Sequence, residues 1–235
     1  MNIKSEEFRK ALVINAIANK SFNKIFCIGY NKTGTTTLEE TLRFYGYSLP
    51  LQKQQEARLS KNVFDTNYVE FLSFVQRYDA FQDMPFSQGL TFVAADALFP
   101  NSKFILSVRD SEAWFQSLKL FHMKKNGIDS TKISEKDILE KFTYLYDGYG
   151  YENKKRFLTT FKNNKYLVDW TKLYDQKYYI EQYEQRNNLI QKYFVNAPNK
   201  LLVIDVTKEA TTEKLCEFLN IPKEFVIAMP QRNKN

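Results

Sequence analysis

Short apolar runs alternate along the chain with segments whose apolar positions repeat at helical spacing. The runs are nearly continuous, as in strands that are covered on both faces, and they occupy residues 24–29, 103–108 and 200–205, with a shorter candidate at 78–82. Helical periodicity marks residues 36–44, 68–77, 90–99, 110–121 and 211–219. This alternation predicts an α/β fold with a three-layer arrangement, in which helices flank a parallel sheet.

Residues 126–196 have a different character. This stretch is rich in Tyr and Phe, has helical periodicity and contains no convincing strand, so we expect a helical Tyr/Phe-rich elaboration of the sheet. The chain has 235 residues, of which 43% are hydrophobic, and it contains no internal repeat and no Pro/Gly-rich linker. A single domain over residues 1–235 is therefore the expectation.

The net charge and the cysteine content exclude few classes of protein. The net charge of +7 could attract an anionic small molecule, a glycan or a nucleic acid. Cys27 and Cys216 lie far apart, so we expect reduced core residues, and a single histidine without a cysteine pair predicts no metal site. The N-terminal segment lacks the apolar run of a signal peptide or membrane anchor, which predicts a soluble, cytoplasmic protein with no membrane span.

The carboxyl ends of the expected strands are where chemistry should lie. In open parallel sheets ligands bind beyond these ends, which here are Gly29, Asp83, Arg109 and Asp205. Residues 29–37 (Gly-Tyr-Asn-Lys-Thr-Gly-Thr-Thr-Thr) form a loop between the first strand and the first helix. Backbone N–H groups at such a helix N-terminus bind phosphate oxygens.

This loop differs from the phosphate loop of nucleotide triphosphatases, which has the pattern G-x-x-x-x-G-K-[ST]. With the two glycines aligned, Thr35 stands at the lysine position, and the lysine is displaced to Lys32. Thr36 keeps the hydroxyl position, but no acidic residue for Mg²⁺ is evident, because the second buried strand ends in Arg109. The alternative is a Thr-rich helix start that binds no ligand.

The loop also resembles a family motif. Residues 31–38 (Asn-Lys-Thr-Gly-Thr-Thr-Thr-Leu) are similar to the 5′-phosphosulfate loop of sulfotransferases that use 3′-phosphoadenosine 5′-phosphosulfate (PAPS), with Asn31 in place of the usual Pro or Arg. A strand ending in Arg109, followed eight residues later by Ser117, resembles the 3′-phosphate motif of the same family. Weaker matches extend the resemblance, in the family's order, from residue 25 to residue 233, whereas residues 126–179 match poorly.

The resemblance implies a role for each matching residue. Lys32 would stabilise the charge that develops on the leaving phosphate. Arg109 and Ser117 would bind the 3′-phosphate that separates PAPS from ATP. The residues that would hold the 5′-phosphate, through backbone and hydroxyl groups, are Thr33, Gly34, Thr35, Thr36 and Thr37, together with Lys32.

A hydroxyl acceptor needs a base to take its proton. The family's cytosolic branch uses a histidine before the Arg motif, but His122 follows Arg109, so we expect a packed or surface helix residue there. Asp83 is the better candidate, because it ends a strand in a D-x-P segment that resembles the family. A carboxylate base would need a pKa raised by burial. The alternative is an Asp83 that caps a helix beginning near Ser87.

The function implied is transfer of a sulfuryl group from PAPS to a hydroxyl or amine of a small-molecule or carbohydrate acceptor. Two alternatives stay open: a nucleotide kinase or NTPase with a degenerate phosphate loop, and a relative that binds the nucleotide without catalysis. A nucleic-acid-binding module is disfavoured, because the nearest basic cluster (residues 154–157, Lys-Lys-Arg-Phe) is short. The sequence leaves the acceptor and the oligomeric state open.

Overall fold

The computed structural model of the protein describes residues 6, 8, 10, 12–13, 20–128, 133–142 and 144–230. The chain divides into two compact units. One consists of Met1–Arg109 with Asn187–Asn235 and is named the sheet unit; the other is Asp110–Arg186 and is named the aromatic unit. A single domain over 1–235 stays a prediction. Residues 231–233, at the end of the family resemblance, lie outside the described residues.

The strands are short, and most of them are followed by longer helices. The strands are β1 Ile25–Cys27, β2 Ala80–Phe81, β3 Lys103–Ser107, β4 Thr159–Lys162, β5 Lys165–Val168 and β6 Leu201–Ile204. The helices after β1 are α1 Thr35–Phe44, α2 Gln52–Phe64, α3 Tyr68–Val75, α4 Thr91–Leu98, α5 Ser111–Asn126, α6 Glu135–Lys141, α7 Tyr149–Phe157, α8 Gln176–Tyr193 and α9 Glu213–Phe218.

The sheet unit contains a four-stranded sheet in the order β2-β1-β3-β6. Every neighbouring pair is parallel, with Ile25 opposite both Ala80 and Lys103, and Phe104 opposite Leu201. All four strands lie at the predicted positions, shortened by one to three residues. Because the strands are parallel, their carboxyl ends meet at one edge of the sheet.

Side chains alternate between two separate hydrophobic cores, one on each face of this sheet. Ile25, Cys27 and Ile105 belong to the first core, whereas Phe26 and Phe104 belong to the second. Helices α1 and α9 contribute to the first core; α3, α4 and the last part of α8 contribute to the second. Since alternate residues of a strand point to opposite faces, the sheet is the middle layer of three, and the predicted three-layer α/β fold is confirmed.

Both cysteines lie in the first core. Cys27 and Cys216 are buried free thiols, which confirms the expectation of reduced core residues. Burial raises the pKa of Cys27 to about 12, so this thiol is protonated at neutral pH.

Helix α2 is the main element that the hydrophobic pattern failed to predict. Its sequence, Gln-Lys-Gln-Gln-Glu-Ala-Arg-Leu-Ser-Lys-Asn-Val-Phe, has a low apolar content. The reason is that its buried face is largely polar: Gln55, Glu56 and Ser60 are buried together with Leu59. A method that looks for an apolar stripe does not detect such a helix.

The aromatic unit corrects one expectation. Residues 126–196 were expected to be helical without a strand, yet β4 and β5 form an antiparallel hairpin. The strands are joined by Asn163 and Asn164, whose φ angles are +52° and +58°. Asparagine adopts this left-handed conformation at low cost, and two such residues make the tight turn that matches the twist of a hairpin. The Asn-Asn pair was the signal in the sequence.

Apart from the hairpin, the described regular elements of the aromatic unit are helices, as expected, and they pack through aromatic rings. Trp114 stacks on Tyr183 with the ring centroids 4.3 Å apart, and Phe115 packs edge-on against Tyr179 at 5.7 Å. These rings are buried, so they form the core of this unit. In the parts of the chain that the structure describes, no helix is both long enough and apolar enough to cross a bilayer.

Candidate active site

Two glycines fix the path of the loop between β1 and α1. A Cβ on Gly29 would lie 2.2 Å from Ser107 Oγ, so β1 can approach β3 this closely only without a side chain. Gly34 has φ +91°, and a Cβ there would lie 2.2 Å from Val206 Cγ2. Both positions therefore require glycine, because a side chain at either would clash with a neighbouring residue. The loop is held against the carboxyl ends of β3 and β6.

Helix α1 begins directly after Gly34, which occupies the N-cap position. Glycine has no side chain with which to cap the first amides of the helix, so these N–H groups and the positive end of the helix dipole can face an anion. Thr35 and Thr37 are buried, and Thr36 is exposed. The arrangement suits a phosphate group.

Thr33 has a different role from the one expected of a phosphate ligand. Its hydroxyl hydrogen-bonds with Ser107 Oγ at 2.7 Å and donates to the carbonyl of Tyr30, and the residue is fully buried. The Thr33 side chain thus ties the loop to the end of β3. Its contribution to binding would come through the loop's shape, not through a free hydroxyl.

The charges of two other residues, Asp83 and Arg109, act on Lys32. Its backbone is left-handed, with φ +68°, and the side chain is half-buried. Burial lowers the pKa of Lys32; the charge of Asp83 opposes this effect, and that of Arg109 adds to it. These interactions bring together Lys32, Asp83 and Arg109, which the sequence had placed at three strand ends.

Arg109 follows β3 and is half-buried. The next residue, Asp110, caps α5 by accepting a hydrogen bond from Ala113 N at 2.9 Å. Ser117 lies on α5 within the aromatic unit and is half-buried. The fourth strand end, Asp205, accepts hydrogen bonds from the Thr207 backbone and hydroxyl, so its carboxylate stabilises a local turn.

Asp83 lies two residues after β2 and is almost completely buried, with 7% of its surface exposed. Its φ is +61°, an uncommon conformation of the kind that concentrates at functional sites. Oδ1 accepts from Met84 N at 3.0 Å and from Ser87 Oγ at 3.5 Å, and Oδ2 accepts from Gln52 Nε2 at 3.3 Å. The carboxyl is therefore fixed by its neighbours.

The environment raises the pKa of Asp83 to about 7. Burial is the main cause and the nearby Glu56 adds to it, while the hydrogen bonds from Met84 and Ser87 and the charge of Lys32 act in the opposite direction. A carboxyl with this pKa can exchange a proton near neutral pH. No helix begins near Ser87, because α4 begins only at Thr91 with Leu90 at its N-cap. Asp83 does start a turn, in which its carbonyl accepts a hydrogen bond from Ser87 N at 3.0 Å.

Three residues of α2, none of which was predicted from the sequence, complete the surroundings of Asp83. Gln55 Nε2 donates to the carbonyls of Gln82 and Met84, each at 2.6 Å. Gln52 Nε2 donates to Glu56 Oε1 at 2.8 Å as well as to Asp83. The only available signal was the spacing of Gln52, Gln55 and Glu56, which places them on one face of a helix.

His122 is a packed residue of the aromatic unit, in agreement with the expectation. Its Nδ1 hydrogen-bonds with Tyr174 OH at 2.8 Å, and its ring lies edge-on to Phe142 at 5.4 Å. Within the described ranges, no group of three or more His, Cys, Asp or Glu residues could hold a metal ion.

Comparison with known protein families agrees with this arrangement. The family model of the sulfotransferase domain matches residues 24–235, which is most of the chain and includes both units. The protein therefore belongs to the sulfotransferase family. No curated protein matches the chain.

Proposed function

We propose that the protein transfers a sulfuryl group from PAPS to a hydroxyl or amine of a small-molecule or carbohydrate acceptor. The observation that carries the proposal is the convergence of Lys32, Asp83 and Arg109 beside the open N-terminus of α1. In a member of the sulfotransferase family, this set supplies a cation for the leaving group, a proton acceptor and a cation for a second phosphate.

The donor fits the residues at the sheet edge. The 5′-phosphate would bind the loop amides and the first turn of α1, with Gly34, Thr35, Thr36 and Thr37 as the nearest groups. Arg109 would bind the 3′-phosphate, with Ser117 as an additional donor. The tight packing of Gly29 and Gly34 supports this, because it keeps the loop in one shape before the nucleotide binds.

The reaction itself moves one group and one proton. A lone pair of the acceptor oxygen or nitrogen attacks sulfur, the S–O bond to the 5′-phosphate breaks, and that bond's electron pair stays on the phosphate oxygen. Lys32 stabilises the negative charge that develops there. The acceptor proton passes to Asp83. The products are the sulfated acceptor and adenosine 3′,5′-bisphosphate.

The buried, raised-pKa carboxyl suits the second part of this role. Asp83 is deprotonated above pH 7, so it can accept a proton at physiological pH and is a stronger base than an exposed aspartate. Activity should therefore fall as the pH decreases through about 7, since the protonated carboxyl can no longer take the acceptor's proton.

Replacing Lys32 by alanine tests the leaving-group role. PAPS carrying a ³⁵S-labelled sulfuryl group is incubated with the protein and either a small-molecule cell extract or a probe set of 2-naphthol, glucosamine and glucose. We expect labelled product and an equal amount of adenosine 3′,5′-bisphosphate, with the rate reduced roughly 100- to 1,000-fold in Lys32→Ala.

Lys53→Ala is the matched control, because Lys53 is an exposed lysine of the same unit and its removal should leave the rate unchanged. Equal rates for Lys32→Ala and Lys53→Ala would contradict the proposal. Transfer of the labelled γ-phosphoryl group of ATP in the presence of Mg²⁺, with none from PAPS, would establish the kinase alternative in its place.

A further inference from the structure

The polar face of α2 is the feature of the sheet unit that the proposed function does not yet use. Gln52, Gln55 and Glu56 are spaced three and four residues apart and therefore share one side of the helix. Gln55 and Glu56 are 2% and 1% exposed. Burying polar side chains costs free energy unless each is hydrogen-bonded, so the hydrogen-bond partners of this face show what it supports.

Gln55 fixes the backbone on both sides of Asp83. Its side-chain amide donates to the carbonyl before Asp83, that of Gln82, and to the carbonyl after it, that of Met84, at 2.6 Å each. The left-handed backbone of Asp83 is thereby supported from a neighbouring helix. This is how a conformation of higher energy persists in a folded protein.

Gln52 and Glu56 act on the carboxyl itself. Gln52 Nε2 donates to Glu56 Oε1 at 2.8 Å and to Asp83 Oδ2 at 3.3 Å, so one amide bridges two acidic side chains. Two carboxylates in a common buried site disfavour each other's ionisation. The negative charge of Glu56 is in fact the second-largest influence that raises the pKa of Asp83.

We propose that Glu56 is a positioning residue for the reaction: its buried carboxyl, bridged to Asp83 by the Gln52 amide, keeps Asp83 a strong enough base to take the acceptor's proton. This inference rests on the proposed function, in which Asp83 is the base. Among the described residues, the other charge that acts on Asp83 is that of Lys32 in the phosphate loop, and its effect has the opposite direction. Burial is the main cause of the basicity of Asp83, and Glu56 and Lys32 adjust it in opposite directions.

Opposite effects are expected from two variants of α2. Glu56→Gln keeps the shape but removes the charge, so the pKa of Asp83 should fall by about one unit or more. Gln52→Met removes the amide that donates a hydrogen bond to the Asp83 carboxylate. Because this hydrogen bond stabilises the charged form, the pKa of Asp83 should rise. A role in packing alone predicts no opposite pair of shifts.

The shifts can be measured without knowledge of the acceptor. The protein is labelled with ¹³C at the Asp side-chain carboxyl, the Asp83 signal is assigned from its loss in Asp83→Asn, and its chemical shift is followed against pH. The expected result is titration near pH 7 in the unaltered protein, at a lower pH in Glu56→Gln and at a higher pH in Gln52→Met.

Controls are available in the same unit. Glu70 and Gln54 are exposed, so Glu70→Gln and Gln54→Met make the same chemical changes without touching Asp83 and should leave its titration unchanged. An Asp83 titration that is the same in Glu56→Gln as in Glu70→Gln would overturn the inference. If Glu56→Gln does not fold, an unchanged or lowered pKa in the half-buried Gln52→Met variant overturns it instead.

Measurements of sulfuryl transfer distinguish a failure of this inference from a failure of the proposed function. Where sulfuryl transfer is observed, the acid limb of the pH–rate profile should move to lower pH in Glu56→Gln, with a lower rate at the plateau because the base is weaker. Absence of transfer from PAPS in the unaltered protein contradicts the proposed function, while the carboxyl titration still decides whether Glu56 controls Asp83.

Discussion

Among the described residues, the sheet unit and the aromatic unit each contain a buried ionisable side chain whose pKa is shifted to about 7: Asp83 in the first and Lys154 in the second. Their surroundings differ. Asp83 receives hydrogen bonds from a backbone amide, a hydroxyl and an amide side chain, and two further charges act on it. Lys154 is surrounded by aromatic rings.

The contacts of Lys154 are those of a packed side chain. Its Nζ lies 4.6 Å from the ring centroid of Tyr174 and 5.9 Å from that of Phe142, and it donates to Tyr179 OH at 3.2 Å. Burial alone lowers the pKa of Lys154, and in the described part of the chain no ion pair joins it to a carboxylate.

The comparison shows that a shifted pKa identifies a functional group only together with its neighbours. Desolvation is the main cause of the pKa shift at both sites. The pKa of a side chain with a purely structural role can therefore be shifted as far as that of a catalytic side chain. The difference is that polar groups from several segments converge on Asp83, at the edge of the sheet where the loop and Arg109 also lie. The described residues provide Lys154 with no comparable set of polar partners.

The largest expected effect separates the two groups by activity. Asp83→Asn removes the proton acceptor, so the rate of sulfuryl transfer should fall by about 100- to 10,000-fold. Lys154→Met keeps the length and the apolar stem while removing the amine, and its rate should stay within about threefold of the unaltered protein, the change expected of a merely structural substitution. The measurement is transfer from labelled PAPS by both variants at pH 8. A comparable loss in Lys154→Met would break the comparison.

A smaller effect concerns stability, and here the two groups should have opposite signs. The pKa of Asp83 is raised by folding, so its unfavourable contribution grows as the pH rises from about 4 to 7. The pKa of Lys154 is lowered by folding, so its unfavourable contribution is greatest below about pH 7 and disappears as the pH rises towards 10.5.

Asp83→Asn should therefore raise the free energy of unfolding at pH 8, and Lys154→Met should raise it at pH 6, each by on the order of 1–3 kcal/mol. Urea unfolding of both variants and of the unaltered protein at pH 5, 6, 7 and 8 measures these differences. If the change in the free energy of unfolding had the same pH dependence in both variants, the predicted opposite effects of the two side chains would be contradicted.

The sequence allowed much of the sheet unit to be predicted, because its strands are buried on both faces and read as continuous apolar runs. The loop at residues 29–37 and the strand ends at Asp83 and Arg109 could be found for the same reason. The family resemblance added the role of Lys32, which spacing alone did not determine.

The rest could not be predicted from hydrophobic periodicity. The buried face of helix α2 contains the polar residues Gln55 and Glu56, so the sequence shows no apolar stripe there. The hairpin of β4 and β5 is largely exposed, and only its Asn-Asn turn marked it. Both failures arise where burial and hydrophobicity are uncoupled, which in α2 is the point at which the fold supports Asp83.

The central claim is that the sheet edge recognises a nucleotide with both 5′- and 3′-phosphates. Titration calorimetry tests it directly, with adenosine 3′,5′-bisphosphate compared with 5′-AMP and with ATP·Mg²⁺. We predict that the bisphosphate binds most tightly and that Arg109→Ala removes the preference over 5′-AMP, with Arg77→Ala, an exposed arginine of the same unit, as the control. Tighter binding of ATP·Mg²⁺, or a preference that survives in Arg109→Ala, would contradict the account.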